Sequence, residues 1–268
     1  ELHGISGDGK DGSLSIGAMT TLREIEHSAL LQEQYPAFVH AVACISSPLL
    51  RNMGTIGGNL LLDTRCTYYN QTEEWRTGID FCMKEKGPIC WVAPGSSKCY
   101  AVQSSDAVPL LCAIGAEVTL MGPDGERRVA MDDLYQDDGI DYLTKKPGDL
   151  LVRVHLPPLG TWKASYKKLR RRGSIDFPIL GVGACVDMDG GTIKSARIRI
   201  GGLGSAPIDA SDVEAALVGQ QPTAELLESA SAKAYKPAKS MDNTDSEVVY
   251  RKKMAPIWVR RALEDCVG

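Results

Sequence analysis

Four cysteines, Cys66, Cys82, Cys90 and Cys99, fall within 34 residues in the spacing C-x15-C-x7-C-x8-C. No secretory pattern accompanies them, so clustered thiols read as metal ligands or redox groups before disulfides. The spacing lacks the C-x2-C pair with which a zinc ribbon grips one ion from one turn. Wide intervals suit a loop wrapped around a larger object, and an iron–sulfur cubane with four thiolate corners is such an object. Zinc and a pair of disulfides stay open, because spacing without a short bite does not identify what is bound. The other four, Cys44, Cys112, Cys185 and Cys266, stand singly in apolar or helical surroundings and read as small buried hydrophobes.

Just ahead of Cys66 runs Thr55-Ile56-Gly57-Gly58-Asn59. Paired glycines leave room above the backbone, so several N–H groups could face one anion, such as a diphosphate. The same pair also makes an ordinary tight turn, and no GxGxxG or Walker pattern supports it. Further on, "YKKLRRRGSIDFPI" puts Lys167, Lys168, Arg170, Arg171 and Arg172 into one basic run, followed by the isolated acid Asp176. Most of that run reads as a solvated or docking face, and Asp176 as a turn or cap; one or two of the cations could reach a bound phosphate or ring. His3, His27, His40 and His155 share no motif, and no nucleophile–base arrangement suggests hydrolysis.

The elements that must hold these groups are legible. "LSIGAMTTLREIEHS" passes from a strand into a helix started by Thr20 and Thr21, and 35–45 has helical apolar spacing. "DAVPLLCAIGA" reads as a helix with Asp106 at its start, and "EVTLMGPDGERRVAM" as a hairpin about Pro123-Asp124-Gly125. "DLLVRVHLP" is a strand ended by Pro157-Pro158, which marks a domain boundary. Beyond it, "ILGVGACVDMDGGTIKSARIRIGG" makes two strands around Asp-Gly-Gly, and helical segments follow near 209–218, 222–234 and 245–265.

Residues 63–105 differ in kind. They hold six of the sixteen aromatics and no leucine, and no period persists for more than a few residues. An irregular stretch of that length is functional or disordered, and the aromatics argue against disorder. It cannot build a core, so the four cysteines are its natural staple, with the aromatics, Pro88 and Pro94 as a dry, stiff shell.

Composition narrows the class. With 268 residues and 43% hydrophobic side chains the chain can bury a substantial core. A net charge of −4 disfavours nucleic acid as the main partner. No apolar run spans a bilayer, so a membrane is not expected and a cytoplasmic setting is.

The strings "SIGAMTTLREI", "SSPLLRNMGTIGGNL", "SSDAVPLLCAIGAEVTL", "YKKLRRRGSIDFPILGVGA" and "IRIGGLGSAPI" together resemble the FAD-binding medium subunits of the molybdenum hydroxylase family, relatives of xanthine and carbon monoxide dehydrogenases. The resemblance implies an α+β fold. A vanillyl-alcohol-oxidase/PCMH-like FAD-binding domain (1–158, with 63–105 inserted) would be followed by a smaller α+β domain (159–268). It places Thr55, Ile56, Gly57, Gly58 and Asn59 against the FAD diphosphate, with Arg51, Asn52 and Gly54 shaping the approach. It also puts Asp106 in the flavin region and Lys168 and Asp176 near the isoalloxazine.

The inserted loop resembles that of 4-hydroxybenzoyl-CoA reductase β subunits, which implies a [4Fe–4S] cluster on Cys66, Cys82, Cys90 and Cys99. The chain would then relay electrons from ferredoxin through cluster and FAD. A small [2Fe–2S] subunit and a large molybdenum-cofactor subunit would receive them, for reductive dehydroxylation of 4-hydroxybenzoyl-CoA. A flavin subunit coupled to NAD, and a zinc-stapled assembly scaffold without flavin, are the alternatives. The family's earlier Gly-rich diphosphate loop has no counterpart ahead of Leu14, and a second chain or an omitted segment is expected to supply it.

Overall fold

The computed structural model describes residues 2–7 and 12–268; Glu1, where the first expected domain opens, and residues 8–11 lie outside the described residues. Among the described residues two antiparallel sheets form. The first has the order β1-β2-β5-β3-β4, from Ile5–Gly7 (β1), Leu14–Gly17 (β2), Glu117–Gly122 (β3), Gly125–Ala130 (β4) and Leu150–Leu156 (β5). The second runs β6-β7-β8-β9, from Trp162–Leu169 (β6), Leu180–Asp189 (β7), Thr192–Gly201 (β8) and Ile208–Asp209 (β9). The connection between Leu156 and Trp162 carries the chain from one sheet to the other.

Local chemistry explains the elements. The β3–β4 hairpin closes with Gly122 opposite Gly125, and the β7–β8 hairpin turns on Gly190 and Gly191, both at positive φ. Thr21 starts the helix Leu22–His27 in a reciprocal box with Glu24. Thr20 instead is buried and holds the Gly4 backbone.

The helix Ala107–Ile114 is buried along its whole length. It lies so close to β7 that a Cβ on Gly183 would meet the Leu110 Cα at 2.5 Å. That contact fixes Asp106, the residue before the helix, over the second sheet. The apolar core of the first sheet accordingly continues onto Tyr166 of β6 and Cys185 of β7. A second core fills the space between the outer sheet and the helix Val248–Val267.

The cysteine segment leaves and re-enters the fold at one place, where Arg65 and Val102 pair in antiparallel fashion through hydrogen bonds of 2.9 and 2.7 Å. Its one helix is the short Glu73–Gly78, capped by Thr72. Lys84 clasps the base of the segment, donating to Asp63 at 2.7 Å, Thr64 at 2.6 Å and the Gly139 carbonyl at 2.8 Å. From the C-terminal region, Asn243 donates to the Tyr100 carbonyl at 2.7 Å and accepts from the Thr67 N–H at 3.0 Å. Among the described residues no helix is long and apolar enough to cross a membrane.

Candidate functional site

A cleft of about 560 Å³ gathers residues from four separate stretches of chain. Thr55, Gly58, Asn59 and Leu62 come from the Gly-Gly segment, Ser104 and Asp106 from the entry to the buried helix, and Ile175, Asp176 and Phe177 from the basic run. Leu22, Ile45, Leu50 and Met53 complete a mostly apolar wall. Arg51 stabilises this wall from behind: buried, it grips Glu26 with two hydrogen bonds of 2.9 Å and the Ile45 carbonyl at 2.8 Å.

Of the two readings open for the Gly-Gly pair, the structure shows the turn and not an open anion nest. Its N–H groups are already paired inside the chain: Ile56 with the Thr20 carbonyl, Gly57 with Ala18, Gly58 with the Thr55 hydroxyl and Asn59 with the Thr55 carbonyl. Ile56 is fully buried, and Gly57 faces inward, where a Cβ would meet the Ala18 carbonyl oxygen at 2.8 Å. Gly57 is therefore a packing glycine. A Cβ on Gly58 would touch nothing closer than its own cap, Thr55 Oγ1, at 3.2 Å. Of the five residues Thr55, Gly58 and Asn59 form cleft surface, and Ile56 and Gly57 hold them in place.

Asp106 occupies the helix cap position without capping it. Ser105 takes that role, accepting from the Val108 N–H and donating to Asn59 at 2.6 Å. The Asp106 carboxylate is free to pair with Lys168 at 2.9 Å and to accept from the Tyr166 hydroxyl at 2.7 Å. Burial pushes its pKa up to about 6, with Lys168 and Tyr166 pulling the other way. Lys168 also donates to the carbonyls of Cys44 and Asp176, at 2.9 and 2.7 Å. It sits behind the cleft wall, not on a solvated face as the basic run suggested. Asp176 turns its carboxylate onto the N–H groups of Arg171 and Arg172, so its cap-like reading and its place at the cleft coexist.

The four clustered cysteines are all free and all buried. Burial pushes Cys66 up to about 12 and Cys99 up to about 11, and the neighbouring thiols add to both shifts. Cys66 and Cys99 share one small buried cluster. Among the described residues, however, no three His, Cys, Asp or Glu side chains form a site for a metal ion. Tyr68, Tyr69, Met83 and Val92 pack against Cys66, Cys99 and Ala101. Trp75, by contrast, is 41% exposed, so not every aromatic of the segment joins the expected dry shell.

Several contributors lie where the sequence gave no signal. Tyr166 is one residue in an alternating strand, and Ser105 one serine among several. Arg65 lies over the Phe177 ring, 3.6 Å from its centroid, and joins the cysteine segment to the cleft wall. Such a contact depends on a long-range pairing that no local period encodes.

Residues 1–159 match the FAD-binding domain in molybdopterin dehydrogenase, and residues 164–266 match the CO dehydrogenase flavoprotein C-terminal domain. The aldehyde oxidoreductase FAD-binding subunit PaoB of Escherichia coli is 30% identical over 220 residues, covering 76% of this chain and 66% of that protein. The carbon monoxide dehydrogenase medium chain of Afipia carboxidovorans is 29% identical, covering 98% of this chain and 77% of the relative. The fold superposes on that of reconstituted CO dehydrogenase from Oligotropha carboxidovorans with a TM-score of 0.77 at 28% identity, over 99% of this chain and 78% of the other. The chain thus spans about two thirds to three quarters of the length of these relatives.

Proposed function

This chain belongs to the family of FAD-binding domains of molybdopterin dehydrogenases, and from that premise we propose that it is the flavin subunit of a hetero-oligomeric molybdenum-dependent oxidoreductase, carrying a second redox station in its cysteine loop. One observation carries the reading. A single short stretch serves both places, with Thr55, Gly58, Asn59 and Leu62 on the cleft and Cys66 among the four buried thiols.

The cleft fits part of FAD: an apolar wall to cover a ring, few polar groups, and a face at Gly58 where a side chain would intrude on the diphosphate. Bound there, FAD supplies exchange between two-electron and one-electron carriers, and a [4Fe–4S] cluster on Cys66, Cys82, Cys90 and Cys99 supplies one-electron transfer. The chain's own residues bind and orient. Thr55, Gly58 and Asn59 offer the surface, Ile56 and Gly57 fix its shape, and Lys168 holds the Asp106 carboxylate and the Asp176 backbone at the wall.

The cysteine loop supports a finer reading. A low-potential ferredoxin is the donor, and the acceptors are [2Fe–2S] centres in a small partner subunit and a molybdenum cofactor in a large one. The substrate there is 4-hydroxybenzoyl-CoA, dehydroxylated reductively, and the complex works in the cytoplasm. Substrate chemistry then belongs to another chain, and this one supplies electrons and positioning.

The deciding experiment counts iron and acid-labile sulfide and records the visible spectrum of the anaerobically purified complex. The expected result is four irons and four sulfides beyond those of the partner subunits, with one flavin per copy. Zinc in their place with no flavin band would establish the scaffold reading instead. Reduction by NADH and not by ferredoxin would overturn the donor assignment alone.

A further inference from the structure

The lip of the cleft formed by Ile175, Asp176 and Phe177 is held in an unfavourable backbone shape. Ile175 sits at φ 51°, in the left-handed region that a β-branched residue avoids most strongly. Its N–H donates at 2.8 Å to the carbonyl of Ser46, which is also at φ 51° and also lines the cleft. Strain of this kind persists where the surroundings over-determine it, and it gathers at ligand clamps. The base of the lip is tied by Asp176, whose carboxylate accepts from Arg171 and Arg172 and whose carbonyl accepts from Lys168.

The tip is tied from outside. Arg65 lies at stacking distance on Phe177, 3.6 Å from the ring centroid. Its backbone is fixed by the two hydrogen bonds to Val102, and the next residue is Cys66.

We propose that Arg65 is a positioning residue that couples the cysteine loop to the cleft, its guanidinium holding Phe177, and with it the strained lip, in the shape that grips flavin. Order in the cysteine site then sets flavin affinity. The inference rests on reading the cleft as the FAD site and the four thiols as a cluster site.

The whole complex, stripped of flavin, is titrated with FAD by quenching of flavin fluorescence, with iron measured on the same samples. Arg65→Met is expected to weaken FAD about tenfold with iron unchanged, the scale of a partly desolvated cation–π contact. Phe177→Leu should do the same, and the double variant should be no weaker than the worse single one, because both remove one contact. Arg65→Lys, which keeps a cation over the ring, should recover part of the loss. Where Arg65→Met does not assemble, Phe177→Leu and Arg65→Lys read the same contact. Chelating the iron should weaken FAD in the unaltered complex but not further in Arg65→Met.

Losses that add to about a hundredfold in the double variant, or unaltered FAD binding in Arg65→Met, would overturn the coupling. A complex without iron would overturn the cluster reading by itself, and the Arg65–Phe177 pair would still be decided by the FAD titrations.

Discussion

Lys168 Nζ lies 2.9 Å from Asp106 Oδ2, with the two side chains only 2% and 5% exposed. This pair joins β6 of the second sheet to the start of the buried helix, and the cleft opens on its Asp106 side. Burial dominates the carboxyl and Lys168 is the main influence opposing it. Replacing Lys168 with Met removes that opposition and leaves the burial. Asp106 is therefore expected to move from about 6 to above neutrality and to be protonated at pH 7. Infrared difference spectra of Lys168→Met should show a protonated carboxyl that Lys168→Met/Asp106→Asn lacks. Its absence would mean that water or Tyr166 alone keeps the group ionised.

The same carboxyl gives the native protein an unusual dependence on pH. Its pKa in the fold, about 6, stands above its ordinary value of 3.8, so the folded state binds the proton more tightly. Its contribution to stability is complete below about pH 4 and is lost as pH rises through about 6. Glu26 behaves oppositely: the hydrogen bond from Arg51 lowers its pKa, so its contribution is lost as pH falls. Urea midpoints taken from pH 4 to 7 should show a falling component that vanishes in Asp106→Asn. A profile identical in both proteins would show that Asp106 titrates normally.

Cys82→Ser separates the proposed cluster from the flavin. The serine hydroxyl is a poor replacement for a thiolate, so the cluster should be lost or unstable. Cys82 does not line the cleft, and flavin should stay largely bound, weakened by no more than the Arg65 contact transmits. Iron-to-flavin ratios after gel filtration check this. Loss of both cofactors together would make the loop part of the flavin site itself.

The sequence disclosed what local chemistry encodes. The hairpin at Pro123-Asp124, the Asp-Gly-Gly turn between β7 and β8, and the helix after Asp106 all carry their signals within a few residues. The cleft's membership was also legible in part, through Thr55, Gly58, Asn59, Asp106 and Asp176. What stayed hidden was direction. Nothing near Gly57 tells that it faces Ala18 while Gly58 faces the cleft, because the answer depends on a turn some forty residues earlier. From the residues alone Lys168 read as one cation of a basic run, and only the resemblance set it near the isoalloxazine; five basic residues in six conceal the one whose strand face points inward. The strained lip was illegible for a related reason: Ile175 violates its own local preference, and only tertiary contacts hold it there.

That difference in direction predicts opposite outcomes for adjacent residues. Gly57→Ala forces a methyl to within 2.9 Å of the Ala18 Cβ and should cost about 1–3 kcal/mol of stability. Gly58→Val meets only Thr55 in the fold, so the protein should assemble and keep its iron while its branched side chain blocks FAD. Thermal unfolding and flavin content measured on both variants decide the matter. A Gly58→Val complex with full flavin would remove this face from the binding surface.

Arg251 extends the argument to the C-terminal helix. It is fully buried, and burial pulls its pKa down to about 10. Its guanidinium donates to the carbonyls of Met241 at 2.9 Å and Gly202 at 2.5 Å and to the Asn243 side chain at 2.8 Å. Asn243 in turn holds Thr67 and Tyr100, near the two ends of the cysteine segment. Arg251→Met takes the donor from the buried Gly202 carbonyl and Asn243 side-chain oxygen, while the Met241 carbonyl keeps the Asn243 N–H, a loss of about 2–4 kcal/mol that frees the turn carrying Asn243. Iron should be lost on mild warming at temperatures where flavin is retained. Lysine should not restore it, because one ammonium cannot reproduce a planar fork that reaches three acceptors. Iron retention equal to that of the unaltered complex would show that Lys84, at the base of the segment, is sufficient to hold the loop.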